Sequence, residues 1–345
     1  LPRMAQLGYV GAAEAEAAAI IMASLSGSAA ADTAAIGVLL IPMMKEAGYS
    51  VPRSAGLIAA GGIIAPVIPP SIAFVMFGVV AQVSITKLFM AGIVPGLMMG
   101  ISVMLAWMWV IRKDKLQASP RKSMAEVLAA AKDGIWALIM PLIIIVGLKM
   151  GIFTPTEASA VAVLYALLVG TLIYREIKPA ALYNVLRKSV VSSSVIMFII
   201  ANAGLFAFLI TRAGVPDAIG RWLEAVLQSP TMFLLGVNAA LFIIGMFIET
   251  SAAIIVLAPI LAPVAMHFGV DPVHFGLIMV VNLALGMITP PFGVNLFAAC
   301  TVARISLDRV VTHLLPFVGV ILVCLLVITY VPSISLTLRD LVYAK

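Results

Sequence analysis

The chain has 345 residues, of which 63% are hydrophobic and only 10% are charged, and its formal net charge is +6. A mean hydropathy of +1.18 excludes the soluble globular class and predicts an all-α polytopic membrane protein. The basic residues lie in short connectors between apolar stretches, where they set the orientation of a membrane protein. We therefore expect a lipid bilayer as the environment and no binding of nucleic acid.

Five apolar stretches predict simple membrane-spanning helices, which need about 20 residues each. In chain order they are 93–111, 134–150, 157–174, 190–211 and 316–332. Four other apolar stretches are interrupted. The stretch 8–47 is broken at 26–28 and the stretch 232–267 at 249–251, whereas 52–83 and 273–303 are broken by glycines and adjacent prolines. A freed backbone N–H or C=O finds no water among lipid tails, so these breaks predict backbone that lines a protein-enclosed cavity.

The interrupted stretches form two copies of one unit, because several residues recur at a single spacing of 221. The pairs are Pro42 with Pro263, Gly48 with Gly269, Pro69 with Pro290, Pro70 with Pro291, and Pro95 with Pro316. A shift of one residue then aligns Ala81 with Ala303 and Ser84 with Ser306. Paired interrupted helices indicate the binding site of a transporter. Since spanning helices precede only the second copy, we expect a further membrane segment before residue 1.

The connectors predict the orientation of the two copies. Those at 112–132 and 175–188 are rich in Lys and Arg, and the positive-inside rule places both in the cytoplasm. The number of spans between these connectors and each broken hairpin then fixes its orientation. The first broken hairpin opens to the cytoplasm and the second opens to the periplasm. We therefore expect an inverted-topology repeat with two re-entrant helical hairpins and two broken helices.

The hairpin tips are the expected sites of chemistry. Helix ends at 26–28 and 249–251 leave N–H and C=O groups for a carboxylate and a sodium ion. The breaks at 62–70 and 286–293 expose further carbonyls, and an oxygen-only site suits Na⁺ better than a transition metal.

Other interpretations of these residues stay open. The small residues of the first tip also fit a close helix-packing face, and the proline pairs fit simple kinks. Asp32 and Glu249 lie deep in apolar sequence, which marks them as functional candidates, but either residue could instead cap a half-helix. Asn282 and Asn295 fit substrate binding and helix bridging equally well. We expect His267, His274 and His313 to be connector residues.

Several longer motifs cover most of the chain. They are SGSAAADTAAIG (26–37), AGLIAAGGIIAPVIPPSI (55–72), LFMAGIVPGL (88–97), GIFTPTEASAVAVLYALLVG (151–170) and LGMITPPFGVNLF (285–297). Together they resemble the large membrane subunit of the tripartite ATP-independent periplasmic (TRAP) transporters. The resemblance implies symport of Na⁺ with an organic acid, such as a sialic acid, a sugar acid or a C4-dicarboxylate, across the bacterial inner membrane. It also implies a small membrane subunit and a soluble periplasmic binding protein as partners, and no organic cofactor.

The resemblance also implies site residues and a mechanism. The implied sodium-binding residues are Ser26, Ser28, Gly62 and Pro66 at the first tip, and Glu249, Thr250, Gly286 and Thr289 at the second. The implied substrate-binding residues are Asp32, Ser71, Pro291 and Asn295. The fold would be an ion-transporter-like elevator, in which 1–83 and 231–303 form the transport domain, 84–230 supplies scaffold and connecting helices, and 304–345 is a C-terminal scaffold helix.

Three alternatives remain. The nearest is a sodium-coupled carboxylate transporter of a related inverted-repeat family that works without a binding protein. An intramembrane enzyme is disfavoured, because the sequence has neither an HExxH motif nor a second membrane-embedded aspartate to face Asp32. A channel would need an open pore and no stoichiometric coupling.

Overall fold

The computed structural model describes residues 22–23, 26–112, 124–215, 218–219, 221 and 229–343. Most of the predicted first arm of the first hairpin, before residue 26, lies outside these residues. The described residues form helices and no strand, which confirms the all-α class. The chain divides into two compact units, one made of Leu1–Arg121 with Asp217–Lys345 and the other of Lys122–Pro216.

The first unit begins with four described helices. They are α1 (Ala29–Glu46), α2 (Val51–Gly62), α3 (Ile72–Val80) and α4 (Ile85–Ile111). The predicted break lies between α2 and α3, and the Pro69–Pro70 peptide bond within it is cis. Serine hydroxyls begin the next two helices: Ser71 accepts the backbone N–H of Phe74 at 3.2 Å, and Ser84 accepts that of Lys87 at 3.4 Å.

Residues 124–215 of the second unit form three α-helices. They are α5 (Met124–Lys149), α6 (Pro155–Leu168), which continues as a π-helical turn (Val169–Ile173), and α7 (Pro179–Arg212). α6 begins with a capping box, in which Glu157 accepts the backbone N–H of Thr154 at 2.8 Å and Thr154 accepts that of Glu157 at 3.3 Å. The Tyr165 hydroxyl donates to the Trp136 carbonyl of α5 at 2.7 Å, which joins the two helices.

The chain then returns to the first unit, in which six more helices lie within residues 229–343. They are α8 (Pro230–Gly245), α9 (Thr250–His267), α10 (Pro272–Gly286), α11 (Val294–Ala303), α12 (Leu307–Tyr330) and α13 (Ser333–Tyr343). Here too the predicted breaks separate helices, one between α8 and α9 and one between α10 and α11. The second break also contains a cis bond, between Pro290 and Pro291.

The helices agree with the predicted internal repeat. α1 and α9 are both 18 residues long, and each contains a proline, Pro42 and Pro263 respectively. Two residues after the end of each lies a glycine with positive φ, +89° at Gly48 and +75° at Gly269, the left-handed conformation that commonly stops a helix. The match extends past the breaks, since α3 and α11 are both followed by non-glycine residues with φ near +55°, Gln82 at 56° and Arg304 at 53°.

The two copies pack across each other. α1 contacts α2 of its own copy and α11 of the other, and α9 contacts α10 of its own copy and α3 of the other. α10 lies at the centre of the unit, because every residue from Val273 to Gly286 is buried. A helix that is apolar on all sides and fully covered belongs to an inner layer. α4 and α12 pack against each other and against α2 and α10.

Among the described residues, five helical segments are long and apolar enough to cross a membrane, by length and composition. They are Ile85–Ile111, Pro155–Ile173, Pro179–Phe206, Thr250–His267 and Leu307–Tyr330. Four of these contain most of a predicted simple span, and the fifth is the predicted second arm of a hairpin. The predicted span at 134–150 differs, because its apolar helical part, Gly134–Lys149, is shorter than this criterion requires.

Candidate functional site

The tips of the two copies meet at one small cavity. Its volume is ≈ 20 Å³, which is room for about one water molecule or one dehydrated ion. The lining residues are Gly27, Ser28 and Ala29 of the first tip, Glu249, Thr250 and Ser251 of the second, and Pro66, Ile72 and Ala73 of the first broken helix. The sequence predicted that the interrupted stretches line a protein-enclosed cavity, and residues of both tips line this one.

The first tip holds a buried carboxylate. Asp32 is 1% exposed, and its Oδ1 accepts a hydrogen bond from the Ser26 hydroxyl. The Ser26 hydroxyl oxygen also accepts the backbone N–H of Ser28 at 3.1 Å. Ser28 begins α1 in an extended conformation, but its side chain makes no capping hydrogen bond. The N-terminus of α1 therefore has no side-chain cap from its own N-cap residue.

Gly27 brings this tip against the break in the first broken helix. Its φ is +63°, and a Cβ added there would lie 2.5 Å from the Pro70 carbonyl oxygen and 3.0 Å from the Ser71 Cα. Both the backbone conformation and the close approach thus require a residue without a side chain.

The second tip is capped by its own carboxylate. The exposed Glu249 accepts the backbone N–H groups of Ser251 at 2.8 Å and Ala252 at 3.1 Å, and also the Ser251 hydroxyl at 3.1 Å. The alternative that Glu249 caps a helix is therefore confirmed for α9, while its role as a sodium ligand stays a prediction. Because these N–H groups are occupied by a negative charge, the tip favours a cation over an anion.

Backbone crosses backbone closely at the second broken helix. A Cβ added at Gly286 would lie 2.4 Å from the carbonyl carbon of Gly245, so α8 and α10 touch through two glycines. The Thr289 hydroxyl donates to the Leu285 carbonyl at 3.0 Å. The buried Thr250 hydroxyl donates to the sulfur of Met287 at 3.0 Å, which ties the second tip to this break.

Two of the predicted substrate residues have contrasting environments. Ser71 is 2% exposed, and its hydroxyl donates to the Pro66 carbonyl at 2.5 Å while capping α3. Those bonds give Ser71 a structural role at the break. Pro291 is exposed and does not line the cavity.

A second polar cluster lies between α1, α2 and α11. Asn295 is fully buried, and its Nδ2 donates to the Ala59 carbonyl at 2.7 Å, so the helix-bridging interpretation is confirmed. Gly62 lies beside this amide and against the hydroxyl of Thr33. The structure thus places Gly62 and Asn295 together and brings in Thr33, which the sequence analysis did not select.

Eight of the twelve predicted site residues therefore lie at three places. Ser28, Pro66, Glu249 and Thr250 line the shared cavity. Gly286 and Thr289 lie at the second break, and Gly62 and Asn295 at the α1–α2–α11 cluster. Ser251 lies within the predicted tip 249–251 and lines the cavity, but it was not among the predicted sodium-binding residues. Whether these residues bind sodium or substrate stays a prediction.

The expectation that His274 and His313 are connector residues is wrong, because His313 lies inside α12 and His274 inside α10. His274 is 2% exposed, and its ring nitrogens lie 2.7 Å from the Ser335 hydroxyl and 3.2 Å from the Thr329 carbonyl oxygen. It thereby joins α10 to α12 and α13. In the part of the chain that the structure describes, no group of three or more His, Cys, Asp or Glu side chains is arranged to hold a metal ion.

The sequence of this chain matches a known protein family and several known proteins. Residues 7–334 match the family model of the tripartite ATP-independent periplasmic transporter, DctM component. The chain is 46% identical over 328 residues to the 2,3-diketo-L-gulonate TRAP transporter large permease protein of Escherichia coli, which covers 95% of this chain and 76% of that relative.

Two other relatives are similar over nearly the same region. The C4-dicarboxylate TRAP transporter large permease protein of Pseudomonas aeruginosa is 43% identical over 323 residues, or 94% of this chain and 76% of the relative. The isethionate TRAP transporter permease protein of Oleidesulfovibrio alaskensis is 42% identical over 318 residues, or 92% of this chain and 50% of the relative.

These relatives are named as permeases, which points to transport and not to catalysis. Together with the apolar helices, they indicate a multi-pass protein of the inner membrane. The family is the large component of a tripartite system, which implies a small membrane subunit and a binding protein as partners. The chain belongs to the DctM family, the large permease components of the TRAP transporters.

Proposed function

We propose that this permease imports an organic acid together with Na⁺, receives the acid from a soluble periplasmic binding protein, and works by an elevator mechanism. The relatives are named for diketogulonate, C4-dicarboxylates and isethionate, all of which are organic anions. An anion of this class is the substrate proposed for this chain, and the ion gradient supplies the driving force for its uptake.

The observation that carries the proposal is the cavity shared by the two tips. Around it lie a helix N-terminus without its own side-chain cap at Ser28, a carboxylate at Glu249, and hydroxyl and carbonyl oxygens of both copies. Oxygen ligands beside negative charge suit a hard cation such as Na⁺, and the α1 N-terminus suits the carboxylate of a substrate.

Coupling follows from this proximity. A bound cation reduces the repulsion between an anionic substrate and the carboxylates of Asp32 and Glu249, so each ligand tightens the binding of the other. Such coupling is reciprocal, because it is one free energy shared by two sites. The proposed sodium residues remain Ser26, Ser28, Gly62, Pro66, Glu249, Thr250, Gly286 and Thr289. The proposed substrate residues remain Asp32, Ser71, Pro291 and Asn295.

The elevator part of the proposal has the two copies entering the membrane from opposite faces as re-entrant hairpins. Its support is the crossed packing of α1 on α11 and of α9 on α3. Elements of both copies that pack into each other move more readily as one body than as two. We propose that 1–83 and 231–303 form this body and that 84–230 and 304–345 supply the scaffold.

The test is uptake into proteoliposomes that contain the complete permease with its small subunit. A panel of radiolabelled organic acids is offered with candidate binding proteins, with and without an inward sodium gradient. We expect uptake that needs both the gradient and the binding protein. Uptake that is equal with and without sodium would refute the coupling, and uptake without any binding protein would favour the related carboxylate transporters.

A matched pair of variants tests the cavity itself. Ser28→Ala removes a hydroxyl from the cavity and little packing volume, so we expect weaker sodium dependence with a normal folded yield. Ser194→Ala on α7 removes an exposed hydroxyl that only bonds its own helix, at 2.8 Å to the Val190 carbonyl, and should leave uptake unchanged. A Ser28 variant with reduced yield and normal sodium dependence would mean that the hydroxyl is structural.

A further inference from the structure

An apolar groove follows the exposed face of α4. Its first part has a volume of ≈ 410 Å³ and is lined by α4 residues between Val94 and Leu105. Its second part, of ≈ 300 Å³, is lined by Leu105, Ala106 and Trp109 of α4 and by Pro316 and Val320 of α12. Leu105 lines both parts, so they form one continuous groove, which we call the α4 groove. Its volume is in the range of small-molecule sites, about 300–1,000 Å³.

The α4 groove is as long as a lipid tail. Val94, Leu97, Ile101, Leu105 and Trp109 recur every three or four residues, which places them on one face of the helix, and they are between 40% and 60% exposed. From the first to the last of them the helix rises about 22 Å. One leaflet of the hydrocarbon core is about 15 Å thick, so the groove can hold the whole tail of a lipid.

The lining of the α4 groove offers little to a polar ligand. The Ser102 hydroxyl donates to the Met99 carbonyl of its own helix at 2.7 Å, and the indole of Trp109 lies at the end of the groove. An occupant of the groove must therefore be a hydrocarbon chain or the apolar face of another helix.

The distribution of small residues on α4 favours a hydrocarbon chain. Close packing of two membrane helices uses small residues at their contact, and α4 uses its glycines inward. A Cβ added at Gly96 would lie 2.5 Å from Ile68 Cγ1, and Gly92 approaches the Val67 carbonyl oxygen in the same way. Ala106 is only 6% exposed, so the exposed residues of the groove are large. Flexible acyl chains fit such a surface better than a second helix does.

A positive charge lies at one end of the α4 groove. Arg112 is exposed at the end of α4, and its Cζ lies 5.7 Å from the centroid of the Trp109 ring, a cation–π contact that holds the guanidinium beside the groove. Within the residues that the structure describes, no acidic side chain forms an ion pair with it. The connector that begins at Arg112 is rich in Lys and Arg, and basic segments next to a membrane helix attract anionic lipids.

The second copy of the repeat is an internal control for this charge. The spacing of 221 pairs Trp109 with Tyr330 and Arg112 with Ser333. The exposed apolar residues of α12 therefore lead to a tyrosine and a serine, without a basic residue at the matched position. The fold of the repeat does not require an arginine there, so the charge at Arg112 belongs to the α4 groove.

We propose that the α4 groove binds one anionic phospholipid, whose acyl chain lies along α4 from Val94 to Trp109 and whose phosphate pairs with Arg112. A guanidinium matches the geometry of a phosphate. The basic connector disfavours the cationic group of a zwitterionic lipid and so favours a headgroup with a net negative charge. The tail fills the groove between α4 and α12 and adds contacts between these helices. Binding of this lipid does not depend on the proposed sodium-coupled uptake.

The test counts the phospholipids that stay bound to the complete permease with its small subunit. The complex is extracted in mild detergent from vesicles of equal parts phosphatidylglycerol and phosphatidylcholine, without substrate or sodium, and is weighed by native mass spectrometry. We expect one phosphatidylglycerol molecule per chain that two variants lose. Arg112→Gln removes the charge and should weaken its retention roughly fivefold, and Leu105→Trp fills the place where the two parts of the groove join and should displace it.

Two matched controls use exposed residues outside the groove. Lys87→Gln removes a positive charge from the other end of α4, and Leu326→Trp adds the same bulk on α12 at the counterpart of Leu105; both should retain the lipid. Equal retention of the two lipids, or unchanged retention of phosphatidylglycerol in Arg112→Gln and Leu105→Trp, would overturn the proposal. Release of the small subunit by Leu105→Trp, without loss of a lipid, would also overturn it and assign the groove to a protein partner.

Discussion

Replacing Gly286 with alanine tests the close crossing of α8 and α10. The added Cβ would lie 2.4 Å from the carbonyl carbon of Gly245, 2.5 Å from its Cα and 2.8 Å from its carbonyl oxygen. Carbon atoms in contact prefer separations of roughly 3.5–4.0 Å, and backbone atoms cannot rotate away as a side chain can. The two helices must therefore separate, and overpacking of this kind costs about 1–3 kcal/mol.

Gly319→Ala is the matched control. Gly319 lies inside α12, and a Cβ added there meets nothing within 4 Å. Alanine in a helix interior is favoured over glycine by about 1 kcal/mol. Gly286→Ala should therefore lower the free energy of unfolding and Gly319→Ala should raise it, so that the two variants differ by about 2–4 kcal/mol. Thermal unfolding of both variants in detergent, in sodium-free buffer, separates packing from any loss of ion binding. Equal unfolding midpoints for the two variants would refute the crossing.

Three further predictions concern polar groups. Ser71→Ala removes the α3 cap and the bond to the Pro66 carbonyl, so it should lower the free energy of unfolding by about 1–2 kcal/mol. The loss should exceed that of Ser84→Ala, which removes a cap at an exposed residue. Reduced uptake without a loss of stability would instead assign Ser71 to the substrate. Asn282→Ala removes the amide that donates to the carbonyl oxygen of the buried Asn238 at 3.0 Å and to its Oδ1 at 2.7 Å. This change should lower the free energy of unfolding by about 1–3 kcal/mol. Asn202→Ala on the exposed face of α7 should change it little. At Asp271, partial burial acts to raise the pKa, but hydrogen bonds from Arg339 and from the backbone of His274 and Val273 hold it below its ordinary value of 3.8. The ionised Asp271 therefore contributes about 0.5–1 kcal/mol to the free energy of unfolding. This contribution is fully present above pH 3.8 and is lost as the pH falls through the lowered pKa. Asp271→Asn should remove this part of the acid sensitivity in unfolding measurements between pH 6 and pH 3, and an unchanged acid profile would contradict the role of the ion pair.

The repeat could be predicted from sequence because its signals are local. Proline and glycine act on the backbone where they stand, so Pro69, Pro70 and their counterparts 221 residues later marked the breaks correctly. The register was also correct, since both copies stop a helix at matched glycines, Gly48 and Gly269.

The site itself depends on contacts that local patterns do not contain. Nothing in the residues around Ser28 indicates that Thr250 lies across the same cavity. His274 was misassigned because a histidine near a predicted helix start looks exposed, and only the positions of Ser335 and Thr329 bury it. Thr33 was overlooked because a hydroxyl in an apolar helix usually bonds its own backbone.

The crossed arrangement of the copies has a consequence for biogenesis. The Asn295 side chain bonds a carbonyl 236 positions earlier, at Ala59, and α1 can meet α11 only after the chain between them has been synthesised. Contacts so distant in sequence form late, because the intervening chain must first be closed into a loop. The early helices therefore lie in the bilayer without all of their packing partners at first. A nascent chain that stops before α11 cannot complete the contacts of the first copy.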